Sequence, residues 1–167
     1  MLTVVVPVLN EEKNIEPLIR EISAAQAPVS EIIYVDDGST DATPQILKSL
    51  RATHPHLRII RHDRRSGQSS ALWTGIRAAG NDLIVTLDGD GQNDPADIAL
   101  VYNAYRQGVG GSNRRVMVAG QRKKRQDSLA KRWSSRFANK LRSSLLKDNT
   151  RDTGCSLKLF RRHDYLS

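Results

Sequence analysis

The chain is poor in the residues that build disulfide frameworks, zinc sites and nucleic-acid platforms. Cysteine occurs once, at Cys155, which excludes an internal disulfide framework and makes a reducing compartment the default. Clusters of His and Cys with metal-ligand spacing are missing, which argues against structural zinc. Aromatic residues make up 5% of the sequence, few for the base-stacking surfaces of single-strand binders. No apolar run approaches the ~20 residues of a transmembrane helix. Met1-Leu2-Thr3-Val4 enters a strand directly, without a basic n-region or a small-residue cleavage site, and reads as no signal peptide. The familiar phosphate loops are missing too: Gly67-Gln68-Ser69-Ser70 has neither the Walker lysine nor a G-x-G-x-x-G spacing, and reads better as a glycine turn entering a helix.

What is present is charge, unevenly placed. The 167 residues carry a formal net charge of +8. Twelve Lys and Arg against the single acid Asp127 put +11 between Arg114 and Lys147, and the remainder sums to −3. Cations on the outer face of an amphipathic helix are ordinary solvation. Gln121-Arg122-Lys123-Lys124-Arg125, however, precedes the helix expected over 127–146, and its surplus points to an anionic partner: nucleic acid, a membrane surface or phosphates.

Length and a hydrophobic fraction of 38% fit one domain with a proper core. Strand-like apolar runs over 2–8, 31–35, 57–61 and 83–87 alternate with helical patterns over 11–25, 39–50, 69–79 and 95–106. Ser39-Thr40-Asp41 offers N-cap chemistry for the second of these helices. Gly108 to Asn113 reads as a flexible connection, and 116–120 and 156–160 as two further short strands. Apolar strands separated by helices predict an α/β fold, a mostly parallel sheet with helices on both faces. Ligands of such sheets bind beyond the carboxyl ends of the strands. The segments 7–11, 36–39 and 88–92 all follow strand ends and are expected to meet on one rim.

Two of these segments are acidic. Asp88-Gly89-Asp90-Gly91-Gln92 places two carboxylates one residue apart, which is costly beside a buried strand unless a cation meets them. A hard divalent ion sharing the site with substrate phosphates suits that pattern, and Gln92 adds an oxygen. A solvated turn is the plainer alternative, but turns rarely need acids at alternate positions. Asp36-Asp37-Gly38-Ser39 could accept hydrogen bonds from a nucleoside, or be only a turn and helix cap. The neighbouring acidic strand end favours the nucleoside.

In order along the chain stand Pro7…Asn10-Glu11, Asp36 to Thr43, Gly67…Ala71…Gly75…Ala79, Asp88 to Gln92…Pro95, Gly120-Gln121-Arg122, Ser135…Asn139 and Asp152-Thr153-Gly154-Cys155-Ser156-Leu157. This array resembles the inverting glycosyltransferases of family 2 with the Rossmann-like GT-A fold. Within the family it is most similar to the polyprenyl-phosphate branch of the dolichol-phosphate mannose synthase type. The resemblance spans essentially the whole chain as a single domain, 1–167, and implies that relatives continue beyond the position of Ser167.

It also implies a nucleotide-sugar donor held by Pro7, Asn10, Glu11, Val35, Asp36, Asp37, Asp88 and Gly89. Mg²⁺ or Mn²⁺ would sit on Asp88, Asp90 and Gln92, with Asp90 contributing to catalysis. Relatives often carry an aromatic at position 9, which is Leu9 here. A polyprenyl-phosphate acceptor would be received by Arg122, Arg132 and Ser135, and Asp152 would orient Arg122 or act as a base. The expected setting is the cytoplasmic face of the membrane, with the protein peripheral or held by an anchoring partner. Alternatives are a family 2 transferase acting on a saccharide hydroxyl, a basic nucleic-acid-binding module, and a donor-binding protein without turnover.

Overall fold

The structure is a computed structural model that describes residues 1–108, 115–120 and 155–167. Strand β1 (Leu2–Val8) is buried along its whole length, as the run Leu-Thr-Val-Val-Val-Pro-Val demands of a strand covered on both faces. It lies between β2 (Val29–Asp36) and β4 (Leu83–Thr86), parallel to both. Beyond β2 follows β3 (Leu57–Arg61), also parallel. Beyond β4 come β6 (Lys158–Arg161) and β5 (Val118–Ala119), each antiparallel to its neighbour. The sheet order is β3-β2-β1-β4-β6-β5. The expected mostly parallel sheet is therefore present, with an antiparallel pair on one side.

The pleat sorts β1 between two apolar layers. Val4, Val6 and Val8 join the larger core with Ile15, Leu18, Ile19 and Ile22 of helix α1 (Ile15–Ala24) and with Ile98, Val101 and Tyr105 of α4 (Asp97–Gly108). Leu47 of α2 (Thr43–Arg51) belongs to the same layer. Val5 faces the other way, onto Ala71 and Ile76 of α3 (Gln68–Ala78) and Phe160 of β6. A five-residue helix, α5 (Arg162–Leu166), follows β6 and has no counterpart in the sequence expectation.

Two helices start later than their sequence patterns indicate, for one reason. The N–H groups of Asn10, Glu11 and Glu12 donate to Ser39 Oγ (2.9 Å), Thr43 Oγ1 (2.9 Å) and Asp41 Oδ2 (3.2 Å). In return Asn10 Oδ1 accepts the Thr40 N–H at 2.8 Å. The expected N-cap residues are thus engaged in stitching the loop after β1 to the loop after β2. Asn10 takes φ 57° to do so, a left-handed value that Asn adopts more readily than most residues.

The helix expected over 127–146 and the basic segment from 121 onward lie outside the described residues, as do Arg122, Arg132, Ser135 and Asp152. No helix among the described residues is long and apolar enough to cross a membrane.

Tyr34 is fully buried in β2, and its hydroxyl has no hydrogen-bond partner among the described residues. Burial alone pushes its phenol well above the ordinary value. An unmade buried hydrogen bond costs roughly 1–3 kcal/mol. Tyr34→Phe is therefore expected to raise the urea midpoint of unfolding, where loss of a functioning hydrogen bond would lower it.

Candidate functional site

The parallel pairing of β1 with β2 and β4 delivers three exits to one rim. The N–H of Asp37 donates to Val8 O at 2.9 Å, and that of Leu87 to Val5 O at 3.1 Å, extending the sheet to its edge. A cleft of about 270 Å³ opens there, lined by Pro7, Leu9, Glu11, Asp37, Asp88 and Asp90, with Gly89 at its wall. Arg65 and Gly67, from the loop after β3, and Gln68, the first residue of α3, also line it.

Glycine is required at two points of this rim. Gly38 has φ +81°, and a Cβ there would meet Arg65 N at 3.0 Å and the Arg64 carbonyl carbon at 3.1 Å. Its absence lets the loop of 62–67 close over Asp37. A Cβ on Gly89 would collide with the Val8 side chain and come within 3.1 Å of Pro7 O. The loop after β4 and the end of β1 can approach only because that atom is missing.

The two aspartates after β2 have different tasks. Asp36 is fully buried. Its Oδ1 accepts the Ser39 N–H at 2.8 Å, while Arg61 Nε lies 3.4 Å from Oδ2. It shapes the turn and does not line the cleft. Asp37 does line it. Its Oδ1 accepts the Ser66 N–H (2.9 Å) and the His62 Nδ1–H (2.7 Å), and its Oδ2 the Gly67 N–H (2.7 Å). Burial disfavours the charged form, but these hydrogen bonds and the adjacent imidazole outweigh it and hold the carboxyl below the usual aspartate range. The glycine turn at 67 is thus a helix entry whose N–H is used by Asp37.

After β4, Asp88 Oδ1 accepts the Gln68 side-chain amide at 2.6 Å, and Asp90 Oδ1 accepts the Gln92 N–H at 3.0 Å. Ser156 ties this loop to the strand that returns at 155–161. Its Oγ accepts from Asn93 Nδ2 (2.6 Å) and the Asp88 N–H (3.3 Å), and its carbonyl accepts the Thr86 hydroxyl (2.7 Å). A second hollow of about 340 Å³ shares Gln68 and Asp88 and has Leu72, Ile76 and Phe160 in its wall.

Of the expected donor residues, the structure brings Pro7, Glu11, Asp37, Asp88, Gly89 and Asp90 to one cleft. Asn10, Val35, Asp36 and Gln92 are not among its lining residues. Val35 is buried against α3, and Asn10 acts by holding two loops together. Arg65 and Gln68 of the lining, and His62, Asn93 and Ser156 behind it, were given no site role from sequence, although Gln68 and Ser156 stand in segments named there. The loop of 62–68 follows a strand end, so the same rule that selected the other exits applies to it.

Among the described residues, the cleft is lined by four acidic residues, Glu11, Asp37, Asp88 and Asp90, and one basic residue, Arg65. An anionic ligand such as a diphosphate would be repelled from that wall unless a cation came with it. The acidic side chains of the wall offer hard oxygen, and Asp88 and Asp90 stand two positions apart on one loop. Both facts fit a hexacoordinate ion that takes one or two protein carboxylates and completes its shell with phosphate oxygens and water. Asp88 and Asp90 are the carboxylates that the loop after β4 brings to this cleft.

Residues 3–166 match the family Glycosyl transferase family 2. The chain belongs to that family, and its sheet with convergent strand ends is the GT-A architecture. Among its relatives is the dodecaprenyl-phosphate galacturonate synthase of Rhizobium johnstonii, 39% identical over 166 residues, covering 96% of this chain and 47% of that protein. Another is the undecaprenyl-phosphate 4-deoxy-4-formamido-L-arabinose transferase of Photorhabdus laumondii, 34% identical over 165 residues, covering 96% of this chain and 49% of that protein. The chain thus spans about half the length of these curated relatives. Among solved structures, the mannosyltransferase PcManGT from Pyrobaculum calidifontis, in complex with GDP-Man and Mn²⁺, aligns with a TM-score of 0.53 at 32% identity. That alignment covers 59% of this chain and 30% of PcManGT.

Gly89→Ala is expected to destabilise the chain by about 1–3 kcal/mol, since the loop must move away from Val8; urea unfolding measures it. Asp37 and Asp41 both have lowered carboxyl values; for Asp41 the hydrogen bonds from Thr43 and Glu12 outweigh burial. A carboxylate with a lowered folded value adds stability that is fully present above its unfolded value, ~3.9 for Asp, and that disappears as pH falls through the folded value. Chemical denaturation across acidic pH should therefore show a stability gap between wild type and Asp37→Asn that is constant near neutrality and narrows below about pH 4.

Proposed function

We propose that the chain contributes the donor-binding half of an inverting glycosyl transfer from a nucleotide sugar to a polyprenyl phosphate. The observation that carries this reading is the meeting of Glu11, Asp37, Asp88 and Asp90 in one cleft at the carboxyl ends of parallel strands. Asp37 accepts from the nucleoside, and Asp88 and Asp90 hold Mg²⁺ or Mn²⁺ against the diphosphate. When bound, the divalent ion stabilises the negative charge that develops on the departing nucleotide. Arg65, which also lines the cleft, would meet the same anionic ligand.

The acceptor assignment is supported by the two curated relatives, whose names share a polyprenyl phosphate and differ in the sugar. A phosphate monoester has its second pKa near ~6 and is largely dianionic at neutral pH, so it needs cations to position it more than a base to deprotonate it. Arg122, Arg132 and Ser135 of the basic segment receive that phosphate in this reading, and Asp152 orients Arg122. The segment's +11 also suits an anionic membrane surface, with the chain working peripherally at the cytoplasmic face.

The test is transfer of a radiolabelled sugar to undecaprenyl or dodecaprenyl phosphate with Mg²⁺ or Mn²⁺, beside calorimetric binding of the nucleotide sugar. Asp90→Ala is expected to lower turnover by a factor of about 10² or more and to weaken metal-dependent donor binding. Arg122→Ala should raise the KM for the lipid phosphate and leave donor binding unchanged. Full activity in Asp90→Ala, or preferred transfer to a saccharide hydroxyl, would overturn the assignment.

A further inference from the structure

His62 does not line the cleft, yet it is the one side chain that holds the Asp37 carboxylate among the described contacts. Its ring lies in a half-buried slot at the end of β3, with 16% of the side chain exposed, beside an Asp37 carboxylate that is 5% exposed. The backbone N–H of His62 donates to Asp36 O at 2.9 Å, so the ring is anchored in the sheet. Nδ1 stands 2.7 Å from Asp37 Oδ1, and Nε2 stands 2.9 Å from Thr74 Oγ1 on α3. An ionised carboxylate only accepts, so Nδ1 must carry the proton. The Thr74 hydroxyl can donate or accept, so the chain Thr74–His62–Asp37 keeps both bonds whichever way Nε2 is occupied.

The consequence for Asp37 is a count of acceptor positions. A carboxylate offers about four lone-pair directions. The Ser66 N–H, the Gly67 N–H and His62 Nδ1–H take three of them. Among the described contacts this leaves one direction, on Oδ2, and Asp37 is a lining residue of the cleft. Without His62 the two backbone donors remain, but the carboxylate can rotate and its Oδ1 loses a charge-assisted partner.

The geometry points to His62 as a positioning residue that fixes the Asp37 carboxylate for a donor N–H or O–H, with Thr74 as the anchor that sets the ring. This rests on the reading that Asp37 contacts the nucleoside of the donor. His62 belongs to the same machinery as a support, the role outer-shell partners play around metal ligands.

The amide nitrogen of Asn can occupy the place of Nδ1, and that of Gln the place of Nε2. The experiment therefore measures binding of uridine, guanosine, cytidine and thymidine diphosphates with Mn²⁺ to the folded chain, by calorimetry, for His62→Ala, His62→Gln, His62→Asn and Thr74→Val. For the diphosphate that wild type binds best, His62→Ala and His62→Gln are expected to weaken binding on the order of tenfold or more. His62→Asn should recover most of it, and Thr74→Val should lose several-fold.

Thermal melts of each variant accompany the titrations. A merely structural histidine would lower the melting temperature in the three His62 variants alike and leave the dissociation constant unchanged, which overturns the inference. Asp37→Asn separates the two levels. If Asp37→Asn weakens binding while His62→Gln does not, the inference fails and the donor reading stands. If Asp37→Asn binds like wild type, or wild type binds none of the four diphosphates, both fail.

Discussion

Carboxylates crowded at the edge of an apolar sheet are the constraint on which the rest of this structure depends. Asp36, Asp37 and Asp88 follow strands whose neighbours are almost entirely aliphatic. Each charge must be met by donors close at hand, and the loops are arranged to supply them. Asp36 is met by the Ser39 N–H and Arg61, Asp37 by Ser66, Gly67 and His62, and Asp88 by Gln68. Glycines at 38 and 89 let the loops approach closely enough to make these bonds.

The same arrangement leaves the cleft with an unbalanced wall. Charge that is satisfied inside the protein can still repel an anionic ligand, and among the described residues one guanidinium stands against four carboxylates. A divalent cation would resolve that conflict from the ligand side, since a nucleoside diphosphate brings oxygens of its own to the ion. The acidity of the wall accords with membership of family 2.

Most of the α/β alternation was legible because aliphatic runs and helical spacing are local signals. The bounds of β1 and β3 coincide with their apolar runs. The starts of α1 and α2 were misjudged because Ser39, Asp41 and Thr43 bind N–H groups about thirty residues away, a competition no local pattern reveals. The convergence on one cleft was legible where acids stand at strand ends, as at Asp37, Asp88 and Asp90. It was not legible at Val35 and Asp36, which share the motif with Asp37 but face the core and the turn.

By itself, the sequence determined the strand–helix alternation, the rim on which the cleft opens and the acidic character of that rim. Those properties follow from residue type and spacing, which act over a few residues. Only the tertiary structure decided that Asp37 and not Asp36 lines the cleft, that Arg65 and Gln68 join the wall, and that His62 stands behind Asp37. Those outcomes depend on the register of β1 against β2 and β4 and on the closure of the loop after β3 over Gly38. They arise from contacts between residues distant in the chain, where packing and hydrogen-bond supply override local preference.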